Sequence, residues 1–557
     1  MKEFVMKPEL MPVGTPEVMG SGGGLVVGVS NNPAPTFVEY KIPPMPKERN
    51  GYVRGVFWLI ANAKAEKLLQ FYTNLTAENG PVAVFYKGLE KNYFISDIAS
   101  VREMLRSPNF GKTVEVADLA KEFVSEGPFF TEGDIHDKQR MLFTSVARKS
   151  NFGKMVSQIE AAANEMFDRF EKPRNGQPIN LLQEYQDLSF RVLMRTLFGT
   201  EADGEQGKVI QNALGFLIAT AGKRILQPVK LPVWAAMYLP EIKKARRDLI
   251  GAADAMIAKR RAELKDPNFQ QNHDILSLLA LDAEKGANAE FTDIQRRHQV
   301  ITLLFAGQGA VAKTLTKITQ LLTEHSEVWE NVVNEVDANI GGDALTYDNT
   351  SAKKLSYVHK MMREAMRIFT VGPIVMRKAI NSGWLTLDDK RKFKYEAGQT
   401  FLASFYVLGR DKRYNDTPEK FDPEQPESNA WVTFGEGGHN CVGEAFAQMT
   451  MRTVLAVQAK RGQVLVRDPE RVVIVPGVTL NLRTDGVPEN PEGHILADFK
   501  PRDKRLAAAS DVSMLRADSA DRADSGCPFS SVAALPPAQF PSPMPPTTSC
   551  GCPYTNG

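Results

Sequence analysis

The sequence predicts a mainly α fold with a small β portion, and three observations lead there. Apolar residues recur with helical spacing through most of 154–265, one helix candidate runs unbroken over 292–324, and strand-like alternation is confined to short runs at 81–97, 373–404 and 464–483. The 557 residues are 43% hydrophobic and 24% charged, which suits a globular protein with a large core. The 68 basic residues are nearly balanced by 66 acidic ones, for a net charge of +2, and no dense basic block appears, so nucleic acid is excluded as a partner. No apolar run reaches the ~18 residues of a membrane span and no secretory leader pattern opens the chain, so a soluble, cytoplasmic protein is expected, with peripheral membrane contact left open. Of the four cysteines, Cys527, Cys550 and Cys552 lie in the tail, where they cannot staple a core, and without histidines or CxxC spacing they define no metal site.

Taken in order, residues 1–50 mix glycine, proline and polar residues without a period and read as a flexible extension. A single domain is expected over 51–500. It begins with a helix from Val53 to Leu75, two strands in PVAVFYKGLEKNYFISD around a turn at 87–91, and a helix from Ile98 to Leu105. A loop-rich stretch ends at Phe129 and Phe130, before a helix carrying His136 and Arg140. Helices are expected at 154–171, 181–199, 204–222 and 240–265; between the last two, prolines at 228, 232 and 240 interrupt an apolar segment that reads as a pocket lid in preference to a membrane-touching surface.

FTDIQ at 291–295 opens the longest helix, with Thr292 as N-cap and Gln295 as its reciprocal partner. Its middle, VITLLFAGQGAVA, is apolar on all sides and so belongs in the interior. Gly307 and Gly309 there each cost about 1 kcal/mol relative to alanine, so something needs the space: a flat ligand or a close neighbouring helix. A helix from Tyr357 to Ile368 stops at Gly372 and Pro373, and strands are expected at 373–380, 384–387 and 399–404. A meander without a regular period follows, then a loop, a helix, and strands at 464–468, 472–477 and 478–483. From Asp503 the composition turns to Ala, Ser, Asp, Pro and Arg, and 503–557 reads as a disordered tail.

The chemistry concentrates in WVTFGEGGHNCVGEAFAQMTMRTVL, residues 431–455. Cys441 sits where a turn-rich loop gives way to an amphipathic helical run, and the unpaired N–H groups of a helix mouth favour a thiolate. Flanking glycines let a flat cofactor approach the backbone, Gly443 doing so on the first helical turn. The string Phe434, Gly437, His439, Cys441, Gly443 resembles the haem-binding loop FxxGx(R/H)xCxG of the cytochrome P450 family. That resemblance covers roughly residues 50–490 and implies the P450 fold, with haem b (iron protoporphyrin IX) between the long central helix and the Cys441 loop, and Cys441 as the iron ligand.

Three further patterns stand in the family's order. Glu364 and Arg367 share a helix face and resemble the ExxR pair that buttresses the haem loop; the third member, usually an arginine, is matched here by Gln425, a neutral amide. His136 and Arg140 resemble the HxxxR pair that holds a haem propionate in soluble members, and Arg377 and His439 stand where further propionate ligands are expected. The central helix departs from the pattern: where the family shows AGx(D/E)T, whose acid and alcohol relay protons to dioxygen, this chain reads Ala306, Gly307, Gln308, Gly309, Ala310. Gln308 carries no titratable proton, and Thr314 and Lys313 are the nearby groups able to compensate.

The resemblance implies an oxidoreductase: a haem-thiolate monooxygenase that inserts one oxygen atom from O2 into an apolar small molecule of lipid, terpenoid, steroid or polyketide type. Electrons would come from NAD(P)H through a separate reductase or ferredoxin, docking near Lys138, Arg148, Lys149, Lys460 and Arg461. Pocket walls are expected from Phe129, Phe130, the 213–240 segment, Phe305, Ala306, Ala310 and Val371–Val375. The missing acid and alcohol keep open an O2-independent enzyme that rearranges or dehydrates a fatty-acid hydroperoxide, with Gln308, Ala310 and Thr314 as the distal catalytic set in either case. A non-catalytic haem-binding sensor is the third reading.

Overall fold

The computed structural model describes residues 65–87, 90–113, 126–201, 204–226, 239–270, 273–477, 479–486 and 494–503. The N-terminal extension, most of the proline-interrupted segment and the cysteine-bearing tail lie outside the described residues. Helix α1 (Ala65–Asn79) takes up the later part of the run expected over 53–75 and continues four residues past it. Strands β1 (Val82–Lys87) and β2 (Glu90–Ile95) form the expected hairpin, paired from Val82 with Ile95 to Lys87 with Glu90. Helix α2 (Ile98–Arg106) is capped by Asp97, whose carboxylate accepts from the Ser100 N–H at 3.0 Å.

After the short β3 (Phe110–Gly111), the body is helical. It comprises α3 (Gly133–Val146), α4 (Lys149–Glu171), α5 (Leu181–Leu197, directly after the two-residue β4, Ile179–Asn180), α6 (Glu205–Leu226), α7 (Pro240–Glu263), α8 (Ile275–Glu284), the 32-residue α9 (Asp293–Glu324), α10 (Ser326–Asn339) and α11 (Ser356–Ile368). The capping box at Thr292 and Gln295 is formed reciprocally, at 3.2 Å and 2.9 Å. Helix α9 runs through the main hydrophobic core and packs most extensively on α5. It is buried from His298 to Leu304 and from Val311 to Leu322, while the part of its apolar middle at 305–310, expected in the interior, is open on one face.

Strands β5 (Ile374–Ala379) and β8 (Thr400–Ser404) complete a five-stranded sheet in the order β1-β2-β8-β5-β3, in which β8 runs parallel to β2 and antiparallel to β5. A hairpin of β6 (Gly383–Thr386) and β7 (Lys392–Tyr395) stands beside it, and the single turn α12 (Phe405–Leu408) leads into the meander. Helix α13 (Glu444–Arg461) follows the cysteine loop. It is buried on nearly every side from Met449 to Ala459, so the expected amphipathic run is a core helix packed on α4 and α10. Then come β9 (Gly462–Val466), the hairpin β10 (Val472–Val475) with β11 (Asn481–Thr484), and β12 (Leu496–Pro501), which pairs with both β9 and β4. Helices α8, α10 and α12 and strands β3, β4, β7 and β12 have no counterpart among the elements the sequence predicts.

Candidate active site

The cysteine loop is held by backbone as much as by side chains. Trp431 donates its Nε1 proton to the Arg363 carbonyl at 3.1 Å, and the Arg363 guanidinium lies 3.9 Å over the indole. Gly435 and Gly437 take φ of +71° and +74°. At Gly437 a Cβ would stand 2.3 Å from the Leu105 carbonyl oxygen and 2.8 Å from Arg106 Cα, so the end of α2 occupies the space of any side chain. That is a different reason for the glycine from the cofactor approach read in the sequence. Glu436 ties the loop to α2 through Arg102 at 2.8 Å and Arg106 at 2.7 Å, and the Cys441 N–H closes it on the Phe434 carbonyl at 2.7 Å. Gly443 is the N-cap of α13, and its Cβ position lies 3.9 Å from Cys441 Sγ.

Cys441 is accessible to solvent although protein atoms crowd it on most sides. A side chain with both properties lines an interior hollow. Burial pushes its thiol pKa up; the Gly443 N–H pulls it down, Glu444 adds to the rise and Arg140 opposes it. The helix mouth therefore does not make this sulfur an anion by itself, because desolvation outweighs one N–H; a cation bound to the sulfur reverses that balance.

Around the loop the structure gathers His136, Arg140, Arg377 and His439. Arg140 donates to the Asn440 carbonyl at 2.7 Å and to the Asn440 side-chain oxygen. His136, buried on α3, has Nδ1 3.0 Å from Asp137 and Nε2 3.2 Å from His439 Nδ1, while His439 Nε2 lies 3.1 Å from Glu132. Arg377 is buried on β5 and donates to the Met376 carbonyl at 3.0 Å. Two members had no signal in the sequence. Lys112 sends its ammonium to the Pro128 and Thr131 carbonyls, and its own N–H reaches Glu132 at 2.5 Å. Burial lowers the Lys112 pKa to about 8, Glu132 opposing and Arg377 and Arg140 adding to the fall. Burial would raise the Glu132 carboxyl, but the hydrogen bonds from His439 and the Lys112 N–H, with their charges, bring it down to about 2. Lys112 and Arg377 thus share one strongly held carboxylate, Glu132, while Arg140 faces Asp137 and the Cys441 thiol.

The buttress is fully formed. Arg367 donates to both oxygens of Glu364 at 2.7 Å and to the carbonyls of Gly409, Pro418 and Lys420 at 2.6, 2.6 and 2.9 Å. Gln425 donates to Glu364 Oε1 at 2.6 Å, beside the Asp422 N–H at 3.1 Å. The neutral amide therefore occupies the third place, as a donor to the same carboxylate.

The middle of α9 is open between its buried stretches at 298–304 and 311–322: Ala306 is exposed, and Phe305, Gly307, Gly309 and Ala310 are partly so. The two glycines have separate reasons. A Cβ at Gly307 would meet Leu193 Cδ1 of α5 at 2.8 Å, which is close helix packing, whereas at Gly309 only the end of Lys313 comes within 4 Å. Gln308 is buried, and its Oε1 has no hydrogen bond among the described residues. Thr314 donates its hydroxyl proton to the Ala310 carbonyl at 2.9 Å, so that proton is engaged within the helix. Phe129 and Phe130 place their rings 5.9 Å and 6.1 Å from Phe305. Segment 127–132 thereby joins the two halves of the site, touching the open stretch of α9 at one end and holding His439 through Glu132 at the other. Of the cations expected to dock a partner, Lys460 donates to the Asp343 carbonyl at 2.6 Å and Arg461 pairs with Asp168 and Glu171 at 2.7 and 2.9 Å. Lys138, Arg148 and Lys149 are exposed without an ion pair among the described residues.

No helix among the described residues is long and apolar enough to cross a membrane. Residues 43–465 match the family model described as Cytochrome P450. The chain is similar to the cyclooctat-9-en-7-ol 5-monooxygenase of Streptomyces melanosporofaciens, at 25% identity over 79% of this chain and 93% of the relative. It is also similar to the abscisic acid 8'-hydroxylase 1 of Arabidopsis thaliana, at 25% identity over 59% of this chain and 66% of the relative, and to that plant's chloroplastic carotene epsilon-monooxygenase, at 22% over 72% and 78%. With the family model covering most of its length, the mostly helical fold and the cysteine loop of the expected form, the chain belongs to the cytochrome P450 family of haem-thiolate monooxygenases.

Proposed function

We propose that the chain binds haem b with Cys441 as its thiolate ligand and inserts one oxygen atom from O2 into an apolar small molecule. Electrons would come from a separate NAD(P)H-driven reductase or ferredoxin, in the cytoplasm. The catalytic domain is taken as 51–500, with 1–50 and 503–557 as appended segments. The observation that carries this reading is the surplus of cations around an accessible, interior cysteine: among the described residues Glu132 acts on Lys112 and Arg377 and the exposed Asp137 on Arg140, so three cations face two carboxylates, with His136 and His439 beside them. A planar group bearing two carboxylates and a cationic centre answers both the surplus and the raised thiol, so the residues present fit haem.

When bound, haem supplies the redox and dioxygen chemistry. The rest is the protein's work. The Gly443 N–H and Arg140 stabilise negative charge on Cys441 Sγ. Arg140, Arg377 and Lys112 would donate to the propionates; His136 and His439 stand beside them, and because their ring nitrogens are engaged with Asp137, Glu132 and each other, each would exchange one of those partners for a propionate oxygen. Phe434 holds the cysteine backbone, and Glu364, Arg367 and Gln425 fix the meander behind the loop. Phe129, Phe130 and Phe305 exclude water from the open face of α9, and the glycine and alanine positions at 306–310 leave room for substrate. The relatives' named substrates, cyclooctat-9-en-7-ol, abscisic acid and carotene, support a terpenoid within the broader apolar class. Lys138, Arg148 and Lys149 remain as the basic face for the electron donor.

A second reading has its own observation. Gly309 and Ala310 stand in place of the acid and the alcohol, and the proton of Thr314 is committed to the Ala310 carbonyl. Gln308 then serves by ordering a water or an oxygen atom of a bound peroxide, and the enzyme rearranges or dehydrates a hydroperoxide without O2. Purified holoprotein given reductase, NADPH and O2, or an organic hydroperoxide alone, separates the two. Product that requires reductase and contains one atom of labelled oxygen supports the monooxygenase; turnover with hydroperoxide only supports the second reading, and no turnover over a broad apolar library favours a sensor.

A further inference from the structure

Lys313 is a buried ammonium without a counter-charge among the described residues. Only 7% of it is exposed, and its Nζ makes one hydrogen bond among the described residues, donating to Thr479 Oγ1 at 2.7 Å. Two of its three N–H groups are left without a partner there. Lys313 lies two turns beyond Ala306 and one beyond Gly309 and Ala310, so it shares the face that opens in the middle of α9. Helical side chains lean toward the N-terminus, and this one does: a Cβ at Gly309 would lie 3.8 Å from its Cε and 3.9 Å from its Nζ. The ammonium therefore rests over Gly309, at the edge of the open face.

Among the described residues no carboxylate acts on it. Residues 369–376 and 476–482, which meet where the Leu480 N–H donates to the Val371 carbonyl at 2.8 Å, carry no charge. One turn on along α9 stands another cation, Lys317, whose ammonium donates to Gln320 at 2.9 Å. Burial is the sole cause acting on the Lys313 pKa, which it lowers to about 8. Near neutral pH the group is still mainly an ammonium, set in apolar surroundings.

We infer that Lys313 and Thr479 form an anchor for the carboxylate of an acidic apolar substrate, held beside the Gly309 face of the pocket. This rests on the reading of 306–310 as the wall of the substrate pocket. A carboxylate supplies the missing counter-charge, and its two oxygens accept from the spare ammonium donors and from the threonine hydroxyl. The hydrocarbon body then runs along Ala306 toward Phe305. An ester or alcohol of the same skeleton fills the same volume but leaves the ammonium uncompensated.

The test uses full-length holoprotein and two matched pairs, dodecanoic acid with its methyl ester and abietic acid with its methyl ester. Binding is measured by calorimetry and by haem absorption. At pH 7 at least one acid should bind roughly tenfold more tightly than its ester, the scale of one charge-assisted contact. Lys313→Met should abolish that difference with ester affinity retained, and the wild-type preference should decline as pH rises past about 8. Thr479→Val, which leaves the ammonium in place, should weaken acid binding only and serves if the methionine variant does not fold. Equal affinity for acid and ester, no binding of either acid, or a preference that survives Lys313→Met overturns the inference. Calorimetry needs no turnover, so failure of the monooxygenase reading would appear separately, in the activity assays.

Discussion

Arg367→Lys isolates what the buttress depends on. A guanidinium has five N–H donors, and all five are used here: two on Glu364 and three on the carbonyls of Gly409, Pro418 and Lys420. The side chains of Arg367 and Glu364 are 3% and 7% exposed, so water cannot replace a lost partner. Lysine keeps the charge but offers three donors; because Glu364 Oε1 keeps Gln425 and the Asp422 N–H, at least one acceptor is orphaned, at about 1–3 kcal/mol. The expected loss is at least about 1–3 kcal/mol out of the ~5–15 kcal/mol that holds a typical domain together. Equilibrium urea unfolding, followed by circular dichroism and by haem absorbance, measures it, and coincidence of the two transitions licenses the two-state treatment. Haem should be lost more readily as well, because the carbonyls that Arg367 holds belong to the meander behind the cysteine loop. A loss below about 1 kcal/mol would refute the reasoning, since charge alone would then suffice.

The remaining expectations concern single positions. Gly437→Ala should destabilise by at least about 2 kcal/mol and lower haem content, because the left-handed backbone and the α2 carbonyl both oppose a Cβ; Gly438→Ala, with nothing within 4 Å, should stay within ~0.5 kcal/mol by thermal unfolding. Glu132 has a folded pKa lowered from 4.5 to about 2, so its stabilisation is fully present above pH 4.5 and is lost as pH falls toward 2. At 43% exposure that amounts to about 1 kcal/mol, and Glu132→Gln should flatten the acid limb of the stability curve by that much. Lys313 has a folded pKa of about 8 against 10.5 for a free lysine, so protonation penalises the fold below pH 8 and the penalty fades as pH rises to 10.5. Lys313→Met should therefore stabilise the protein by about 3 kcal/mol at pH 7, with the gain shrinking across that window; a destabilised variant would contradict the uncompensated charge.

The parts of the fold that were legible in the sequence are those decided locally. Helix α9 declared its start, because Thr292 and Gln295 form a capping box, but only part of its burial: the apolar run is buried at 300–304 and 311–312 and opens between them, where Gly309 leaves space that no neighbouring helix fills. Strand β12 was not legible: LADFKP carries two charges and a proline, and it becomes a strand only because β9 and β4 supply partners from far along the chain. The site divides in the same way. The cysteine loop, the Glu364 and Arg367 pair and the His136 and Arg140 pair have fixed spacings, so resemblance brings them out. Lys112, Glu132 and Asn440 have none, and only the folded chain sets them beside Arg140, Arg377 and His439. The reasons for the glycines also needed the fold: Gly307 answers Leu193, Gly437 answers α2, and Gly309 leaves room over which Lys313 lies.

The claim that most depends on one atom is that Cys441 Sγ holds the haem iron. The direct measurement is the carbon-monoxide difference spectrum of the reduced, haem-reconstituted protein, wild type against Cys441→Ser, with haem content determined in parallel. The account predicts the long-wavelength Soret band of a thiolate-ligated ferrous carbonyl in the wild type and its absence in the serine variant. The same band in Cys441→Ser, or no such band in a haem-loaded wild type, would contradict it.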